Sequence, residues 1–138
     1  SAFAYMHSHK MIYRDIKLRN IGFDIRGDVK IFDFGLAKSM HRDLRTKYRL
    51  YHLTALTGSI PYMAPEIASS DPYNEKSDVY SFGILLWAIL SLKSPAVAFP
   101  SLKHDDNEDY MKVVVKRGAR PPIKATWPVF TQKILKWS

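Results

Sequence analysis

The fold of this chain is decided by the stretch Tyr13-Arg14-Asp15-Ile16-Lys17-Leu18-Arg19-Asn20, followed thirteen residues after Asn20 by Asp33-Phe34-Gly35. Between these stretches, the β-prone runs 21–25 and 29–32 flank the turn sequence Arg26-Gly27-Asp28. A glycine in such a turn is typical of a β-hairpin. Because a tight hairpin returns the chain on itself, we expect Asn20 and Asp33 to lie close together.

Four polar side chains in these stretches carry the chemistry. The amide oxygen of Asn20 and the carboxylate of Asp33 are hard ligands of the kind that Mg²⁺ takes together with phosphate oxygens. Lys17 offers a compact positive charge to a phosphoryl group, and Asp15 can accept a hydrogen bond from a hydroxyl group. The pattern indicates a pocket for a magnesium-bound triphosphate.

The two stretches resemble the catalytic loop and the metal-binding loop of eukaryotic protein kinases. The family pattern is His or Tyr-Arg-Asp-x-Lys-x-x-Asn, then Asp-Phe-Gly, then Ala-Pro-Glu, and residues 64–66 supply the third motif in order. Asp-Phe-Gly alone arises often by chance, but three ordered motifs with a hairpin between the first two are specific. The phrase from Ser77 to Trp87 is similar to the tyrosine-kinase-like branch of Ser/Thr kinases.

The resemblance covers essentially all 138 residues and implies a partial kinase catalytic domain over residues 1–138. We expect a mainly α fold, the α+β C-lobe of a protein kinase, with helices around a central buried helix and a small β-hairpin that carries the catalytic and metal-binding loops. The family's Gly-rich loop, its strand lysine and its partner glutamate helix are not found in the sequence. We therefore expect the N-lobe to be absent and the last helix to be truncated.

The local patterns predict where the elements lie. Helices are expected at 2–9, 64–69, 75–90, 107–117 and 128–137. The region 36–62 is expected to be mostly loop, and Ser91 to Asp106 is expected to be a surface excursion because Pro95 and Pro100 interrupt it.

The resemblance implies a role for each motif residue. Asp15 is similar to the catalytic aspartate that accepts the proton of the substrate hydroxyl. Asn20 and Asp33 are similar to the magnesium ligands, with the metal bridging the phosphates of ATP. Lys17 resembles the lysine that Ser/Thr kinases direct at the transferring phosphate. Thr57 resembles the threonine that seats a Ser/Thr substrate beside that lysine, although it also fits a simple turn hydroxyl.

Further residues are assigned to regulation by the same resemblance. Arg14 precedes the catalytic aspartate, as in kinases that are switched on by phosphorylation of the activation loop, and a guanidinium group suits bidentate phosphate binding. Thr54 is the first choice of phosphate acceptor, and Thr46 is the second. Tyr13 and Phe34 resemble stacked members of the regulatory spine.

Asp78 resembles the buried aspartate that holds the catalytic-loop backbone from the central helix. It also fits a simpler reading, that of a first-turn carboxylate favoured by the helix dipole. Three positions depart from the family pattern: Leu18 stands where proline is usual, Gly22 stands where a bulky aliphatic residue forms the floor of the adenine pocket, and Glu66 lacks its usual arginine within the sequence.

Composition limits the classes of partner. The chain carries a net charge of +8, has no cysteine and is 46% hydrophobic, as globular proteins are. The charge favours anionic partners, but the basic residues are scattered, so a nucleic-acid-binding domain is the least favoured reading. The apolar run 79–90 is short for a membrane span, which needs about 20 residues. We expect no transmembrane segment and an intracellular, cytoplasmic protein.

Two readings of function remain. The first is a Ser/Thr protein kinase that uses ATP and Mg²⁺ to phosphorylate a protein substrate, in which case this chain alone should be inactive. The alternative is a pseudokinase or a truncated interaction module without chemistry. The presence of Asp15, Lys17, Asn20 and Asp33 together favours the first reading, because a module without catalysis need not keep all four.

Overall fold

The computed structural model describes residues 2–99 and 107–137, which form helices and two small sheets. The α-helices are α1 (Ala2–Ser8), α2 (Pro65–Ala68), α3 (Lys76–Ser91), α4 (Asn107–Tyr110) and α5 (Val129–Trp137). The π-helical segment Met111–Lys116 continues α4, and short 3-10 helices occupy Leu18–Asn20, Arg42–Leu44, Ile60–Tyr62 and Pro95–Ala98. The strands are β1 (Met11–Ile12), β2 (Ile21–Phe23), β3 (Val29–Ile31) and β4 (Lys38–Ser39).

The predicted hairpin is formed by β2 and β3, which pair antiparallel with Ile21 opposite Ile31. At its tip, Gly27 has a φ of 81°, a conformation that glycine adopts without strain. One carboxylate oxygen of Asp24 accepts the backbone N–H groups of Arg26 at 2.9 Å and Asp28 at 3.0 Å. Both strands end one or two residues earlier than predicted, and the hairpin itself is confirmed.

The second sheet joins β1 to β4, with Met11 opposite Ser39. The expectation of mostly loop over 36–62 was therefore incomplete, because β4 and two 3-10 helices lie in this region. A strand of two residues has no periodicity that a sequence pattern can reveal. The pairing attaches the start of the long loop to the residues just before the catalytic loop.

The central helix α3 was predicted over 75–90, and the structure confirms it over 76–91. The side chain of Asn74 accepts the backbone N–H of Lys76 at 2.9 Å and so satisfies one free donor of the first turn. Residues on more than one face of α3 are buried, among them Asp78, Tyr80 and Trp87. The other elements pack around this helix, so hydrophobic burial on several sides fixes its position.

The segment expected to be a surface excursion is partly buried. Pro95, Ala98 and Phe99 are enclosed, because the ring of Phe99 packs edge-on against Tyr110 with the ring centroids 6.1 Å apart. The predicted break at Pro100 lies outside the described residues. Sequence polarity alone did not indicate this contact, since it depends on where α4 packs against the core.

The later helices occur where the patterns placed them. The segment 107–116 is helical, and Gly118 follows it with a φ of 65°, as expected for a residue that ends a helix. The last predicted helix is α5. Across 2–99 and 107–137, the structure contains no helix that is both long enough and apolar enough to span a bilayer.

Candidate active site

The carboxylate of Asp15 is the centre of a polar cluster and is only 6% exposed. Its Oδ2 accepts hydrogen bonds from Lys17 Nζ at 2.7 Å and from Asn20 Nδ2 at 2.9 Å. Its Oδ1 accepts a longer bond from Ser59 Oγ at 3.3 Å. Three of the four residues predicted to carry the chemistry are therefore brought together in one contact network.

Asp33, the fourth residue, lies at the same end of the hairpin as Asn20. The backbone N–H of Phe32 donates to the carbonyl oxygen of Asn20 at 2.8 Å, and Asp33 is the next residue. Asp33 is exposed and adopts a φ of 54°, while its Oδ1 accepts the N–H of Gly35 at 3.1 Å. The hairpin thus places an amide-bearing loop and a carboxylate-bearing loop side by side.

These two residues suit a magnesium ion that also takes phosphate oxygens. The Nδ2 of Asn20 donates to the backbone oxygen of Asp15 at 3.0 Å as well as to its carboxylate, so the orientation of the amide is fixed. With the amide nitrogen bonded to Asp15, Oδ1 is the hard oxygen that this side chain can offer to a metal. Among the described residues there is no group of three or more acidic, His or Cys side chains that could hold a metal without such additional ligands.

Asp78 connects the catalytic loop to the central helix and is only 1% exposed. Its Oδ2 accepts the backbone N–H of Tyr13 and its Oδ1 accepts that of Arg14, each at 2.8 Å. The Nε2 of His7 contacts Oδ2 at 2.8 Å as well. Both readings of Asp78 hold, because it lies in the first turn of α3 and also holds the loop backbone.

Tyr13 links the catalytic loop to the metal-binding loop. Its hydroxyl group donates to the carbonyl oxygen of Phe32, and its ring meets that of Phe34 edge-on, at 5.6 Å between centroids and 80° between planes. The expected contact between Tyr13 and Phe34 is therefore present, with edge geometry in place of stacking. Burial raises the pKa of the Tyr13 hydroxyl group to about 12, so it remains a neutral donor.

Arg14 is buried without a carboxylate partner. Its Nε donates to the carbonyl oxygen of Leu36 at 2.8 Å, and its Nη1 donates to the hydroxyl group of Tyr73 at 3.1 Å. That hydroxyl group in turn donates to the backbone oxygen of Thr54 at 2.7 Å. Arg14 is only 8% exposed as a residue, and a guanidinium group bound to two neutral acceptors is well suited to receive an anion.

The two candidate phosphate acceptors differ in their surroundings. Thr54 is exposed, and within the described residues its hydroxyl group has no hydrogen-bond partner. The hydroxyl oxygen of Thr46 accepts the backbone N–H groups of Tyr48 and Leu50, each at 3.3 Å. The hydroxyl group of Thr54 is therefore the more accessible of the two, and its phosphorylation stays a prediction.

The hydroxyl group of Ser59, and not that of Thr57, bonds to the carboxylate of Asp15, although both residues line the cavity beside it. The hydroxyl group of Thr57 donates to the backbone oxygens of Thr54 at 3.0 Å and Ala55 at 3.1 Å, which is the turn role that the sequence also allowed. The role of Thr57 in seating a substrate beside Lys17 stays a prediction. Residue type could not separate two hydroxyl groups so close in sequence, because the direction of each depends on the turn at Gly58.

Gly58 sets that turn. Its φ is 102°, and a Cβ at this position would lie 2.6 Å from the backbone oxygen of Arg14. The long loop therefore packs directly on the catalytic-loop backbone at a point where only hydrogen fits. Ser59 reaches Asp15 as a consequence.

The three positions that depart from the family pattern have different surroundings. A Cβ on Gly22 would lie 2.7 Å from the ring of Phe32, so this ring fills the space that a larger side chain would need. Leu18 is exposed, and its backbone N–H donates to the hydroxyl group of Tyr62 at 3.5 Å. Glu66 is half-buried and forms no ion pair with any described residue, so it is partly solvated.

A mainly helical fold with a hairpin that joins Asp15, Lys17 and Asn20 to Asp33 defines part of a protein kinase domain. A family model of that description, the protein kinase domain, matches residues 1–134. The chain belongs to the protein kinase family.

Three relatives illustrate the range of similarity. The chain is 37% identical over 126 residues to the serine/threonine-protein kinase STY46 of Arabidopsis thaliana, an alignment that covers 91% of the chain and 20% of the relative. It is 34% identical over 132 residues to the cAMP-dependent protein kinase type 3 of Saccharomyces cerevisiae, with 84% and 31% covered. It is 40% identical over 114 residues to the dual specificity protein kinase shkC of Dictyostelium discoideum, with 81% and 20% covered. The chain thus spans less than a third of the length of each of these relatives.

Replacing Asp78 tests the connection between the central helix and the catalytic loop. In Asp78→Ala the buried N–H groups of Tyr13 and Arg14 lose their acceptor, and each unsatisfied donor costs about 1–3 kcal/mol. We expect the free energy of unfolding to fall by about 3 kcal/mol, measured by urea denaturation. The exposed change Asp71→Ala serves as the control and should cost less than about 0.5 kcal/mol. Equal effects of the two changes would contradict the assigned role of Asp78.

Replacing Gly58 tests the close approach of the long loop to the catalytic loop. Gly58→Ala adds a contact with the Arg14 oxygen to the cost of a positive φ, whereas Gly118→Ala adds only the φ cost, because no atom lies within 4 Å of its Cβ position. We expect Gly118→Ala to lose about 1–2 kcal/mol and Gly58→Ala to lose at least about 1 kcal/mol more. Urea denaturation of both variants measures the difference, and a Gly58→Ala variant as stable as Gly118→Ala would show that the contact is not made.

Proposed function

We propose that this chain supplies the catalytic-loop part of a protein serine/threonine kinase that transfers the γ-phosphate of ATP to a protein hydroxyl group. The observation that carries the proposal is the carboxylate of Asp15, held by Lys17 and Asn20 on one oxygen and approached by Ser59 on the other. An orientation fixed by so many contacts suits a reaction in which positioning supplies most of the catalysis.

Asp15 acts on the substrate hydroxyl group. The Oδ2 of Asp15 is occupied by two donors, so Oδ1, with only the long contact to Ser59, is the oxygen that accepts the hydrogen bond of an incoming hydroxyl group. This hydrogen bond orients the substrate oxygen towards the γ-phosphorus. Oδ1 takes up the hydroxyl proton as the new P–O bond forms and the P–O bond to the leaving ADP breaks. Ser59 is placed to contact the same substrate group.

Lys17 contributes charge. Its ammonium group lies 2.7 Å from Oδ2 of Asp15 and is half-buried, beside the carboxylate that is proposed to receive the substrate hydroxyl group. In this position it stabilises the negative charge on the transferring phosphate without a change in its own protonation.

Asn20 and Asp33 hold the metal side of the site. Asn20 and Asp33 would hold a Mg²⁺ ion together with ATP, and the ion would supply positive charge against the phosphate groups. The amide of Asn20 is held by its two hydrogen bonds to Asp15, so the metal side and the hydroxyl side of the site share one rigid element. The ring of Phe32, beside Gly22, supplies apolar surface of the kind that an adenine base packs against.

The specificity for serine and threonine, and the activity of these 138 residues alone, both go beyond membership of the family. Specificity for serine and threonine is argued from Lys17 alone, because the relatives include both a serine/threonine kinase and a dual-specificity kinase. Transfer by these 138 residues alone is not expected, because they contain no Gly-rich loop and no strand lysine to hold the phosphates.

The reaction is tested in the whole protein that contains this sequence, with radiolabelled ATP and a generic protein substrate. We expect label on serine and threonine, and a rate about 10²–10⁴-fold lower in Asp15→Asn, which loses the proton acceptor but keeps its shape. The matched control Asp71→Asn alters an exposed carboxylate and should leave the rate within about twofold. Absence of transfer by the unaltered protein would favour the interaction module, and label on tyrosine would overturn the specificity.

Regulation by phosphorylation is proposed at Thr54. A phosphate on this exposed residue lies next to the Tyr73 hydroxyl group that already joins the Thr54 backbone to Arg14, so the guanidinium group can bind it directly. The loop 36–62 would then be tied to the catalytic loop through a charge-assisted contact.

Alanine variants separate the two acceptors. Thr54→Ala should lower the kinase rate of the activated whole protein about tenfold or more, because Arg14 loses its anionic partner. Thr46→Ala removes a turn hydroxyl group of the same loop and should change the rate by less than about threefold. Full activity in Thr54→Ala would exclude Thr54 as the regulatory residue.

A further inference from the structure

A basic groove lies outside the site described above, with a volume of about 450 Å³. It is bounded by the end of α1, the segment after β4 and the residues before α3. The basic groove is defined by four exposed cationic side chains, Lys10, Arg42, Arg45 and Arg49. The groove is lined neither by the residues assigned to the kinase chemistry nor by Arg14.

The basic groove carries an excess of positive charge. Among the described residues, Glu75 is the one acidic residue that lines it, against four cations. In the part of the chain that the structure describes, none of the four cationic side chains forms an ion pair or donates a side-chain hydrogen bond. Like charges that converge on one concavity repel one another, so an anion bound there relieves the repulsion.

The backbone holds the arginines in a defined turn. Arg45 and Tyr51 form a bridge, and Tyr51 forms a second bridge with Tyr73, with the N–H of Tyr51 donating to the Tyr73 oxygen at 2.8 Å. The hydroxyl oxygen of Thr46 accepts the N–H of Leu50 at 3.3 Å and closes the turn. The cations are therefore presented by an ordered loop on a floor of buried Tyr51.

We propose that the basic groove binds a phosphorylated segment of a protein partner, with the phosphate group among the four cations. Guanidinium groups form paired hydrogen bonds with phosphate, and three of the four cations are arginines. The volume exceeds what one phosphate group needs, and the buried side chains of Met40 and Tyr51 offer apolar wall to the rest of a phosphorylated side chain and its backbone.

The position of the basic groove suggests its use. Tyr51 lines it and pairs with Tyr73, whose hydroxyl group contacts Arg14, the neighbour of Asp15 in the catalytic loop. A partner segment held there is anchored to the same framework as the catalytic carboxylate. Use of the groove to recruit substrates that already carry a phosphate rests on the proposed kinase function, whereas the binding itself does not.

Binding is measured with the 138-residue chain by fluorescence anisotropy. The probe is a short labelled alanine-rich peptide with one central phosphoserine, and its unphosphorylated form is the comparison. We expect the phosphorylated peptide to bind about tenfold or more tightly, because charge-assisted hydrogen bonds are the main attraction. Equal binding of the two peptides, or tighter binding of a DNA duplex or of phosphatidylserine vesicles, would overturn the proposal.

Charge reversal locates the site. Arg45→Glu with Arg49→Glu should weaken binding of the phosphopeptide about tenfold or more, and the milder Arg45→Gln with Arg49→Gln should weaken it in the same direction. The matched control, Arg26→Glu with Arg117→Glu, makes the same change in net charge at exposed positions outside the groove and should leave the affinity within about threefold. Circular dichroism checks that each variant is folded, and equal losses in the two double reversals would show that only net charge attracts the peptide.

A final variant separates this inference from the kinase proposal. Asp15→Asn abolishes the proposed proton acceptor but leaves the basic groove intact, so phosphopeptide binding should be unchanged. If the phosphopeptide does not bind, the proposed role of the basic groove is refuted, whereas the kinase proposal is unaffected. Loss of binding in Asp15→Asn would contradict the independence of the two sites.

Discussion

The carboxylate of Asp78 is the constraint on which the rest of the site depends. It lies in the first turn of the most buried helix and accepts the backbone N–H groups of Tyr13 and Arg14. Without this acceptor, two buried donors would have no partner and the loop would have no fixed distance from the helix. Every other contact of the catalytic loop is made from the position that this carboxylate defines.

Three further contacts position the loops of the site relative to Asp78: a hydrogen bond, a contact between two rings and a close approach of two backbone segments. Tyr13 ties the metal-binding loop to the catalytic loop through its hydroxyl group and its ring, and Gly58 lets the long loop approach the same backbone from the other side. Asp15 is enclosed between these elements. Phosphoryl transfer requires little covalent chemistry from the protein, so a fold that fixes a few polar groups closely is suited to it.

The chain carries cationic side chains at both buried and exposed positions, and the two kinds of position attract anions in different ways. Arg14 is buried and bound to neutral oxygens, so an anion that reaches it is shielded from water and is bound strongly. The cations of the basic groove are exposed, so their attraction depends on several acting together and on ionic strength. The long loop joins both regions and carries Thr54 between them.

The sequence by itself determined the motifs, the hairpin, the central helix and the approach of Asn20 and Asp33 to the same end of that hairpin, because short-range spacing and turn chemistry specify these features. Only the tertiary structure decided that Ser59 reaches Asp15 while Thr57 turns to its own backbone, that Phe32 fills the space beside Gly22, and that four scattered cations converge on one groove. These features depend on how distant segments pack, and residue type along the chain does not encode the direction of a side chain across such a contact.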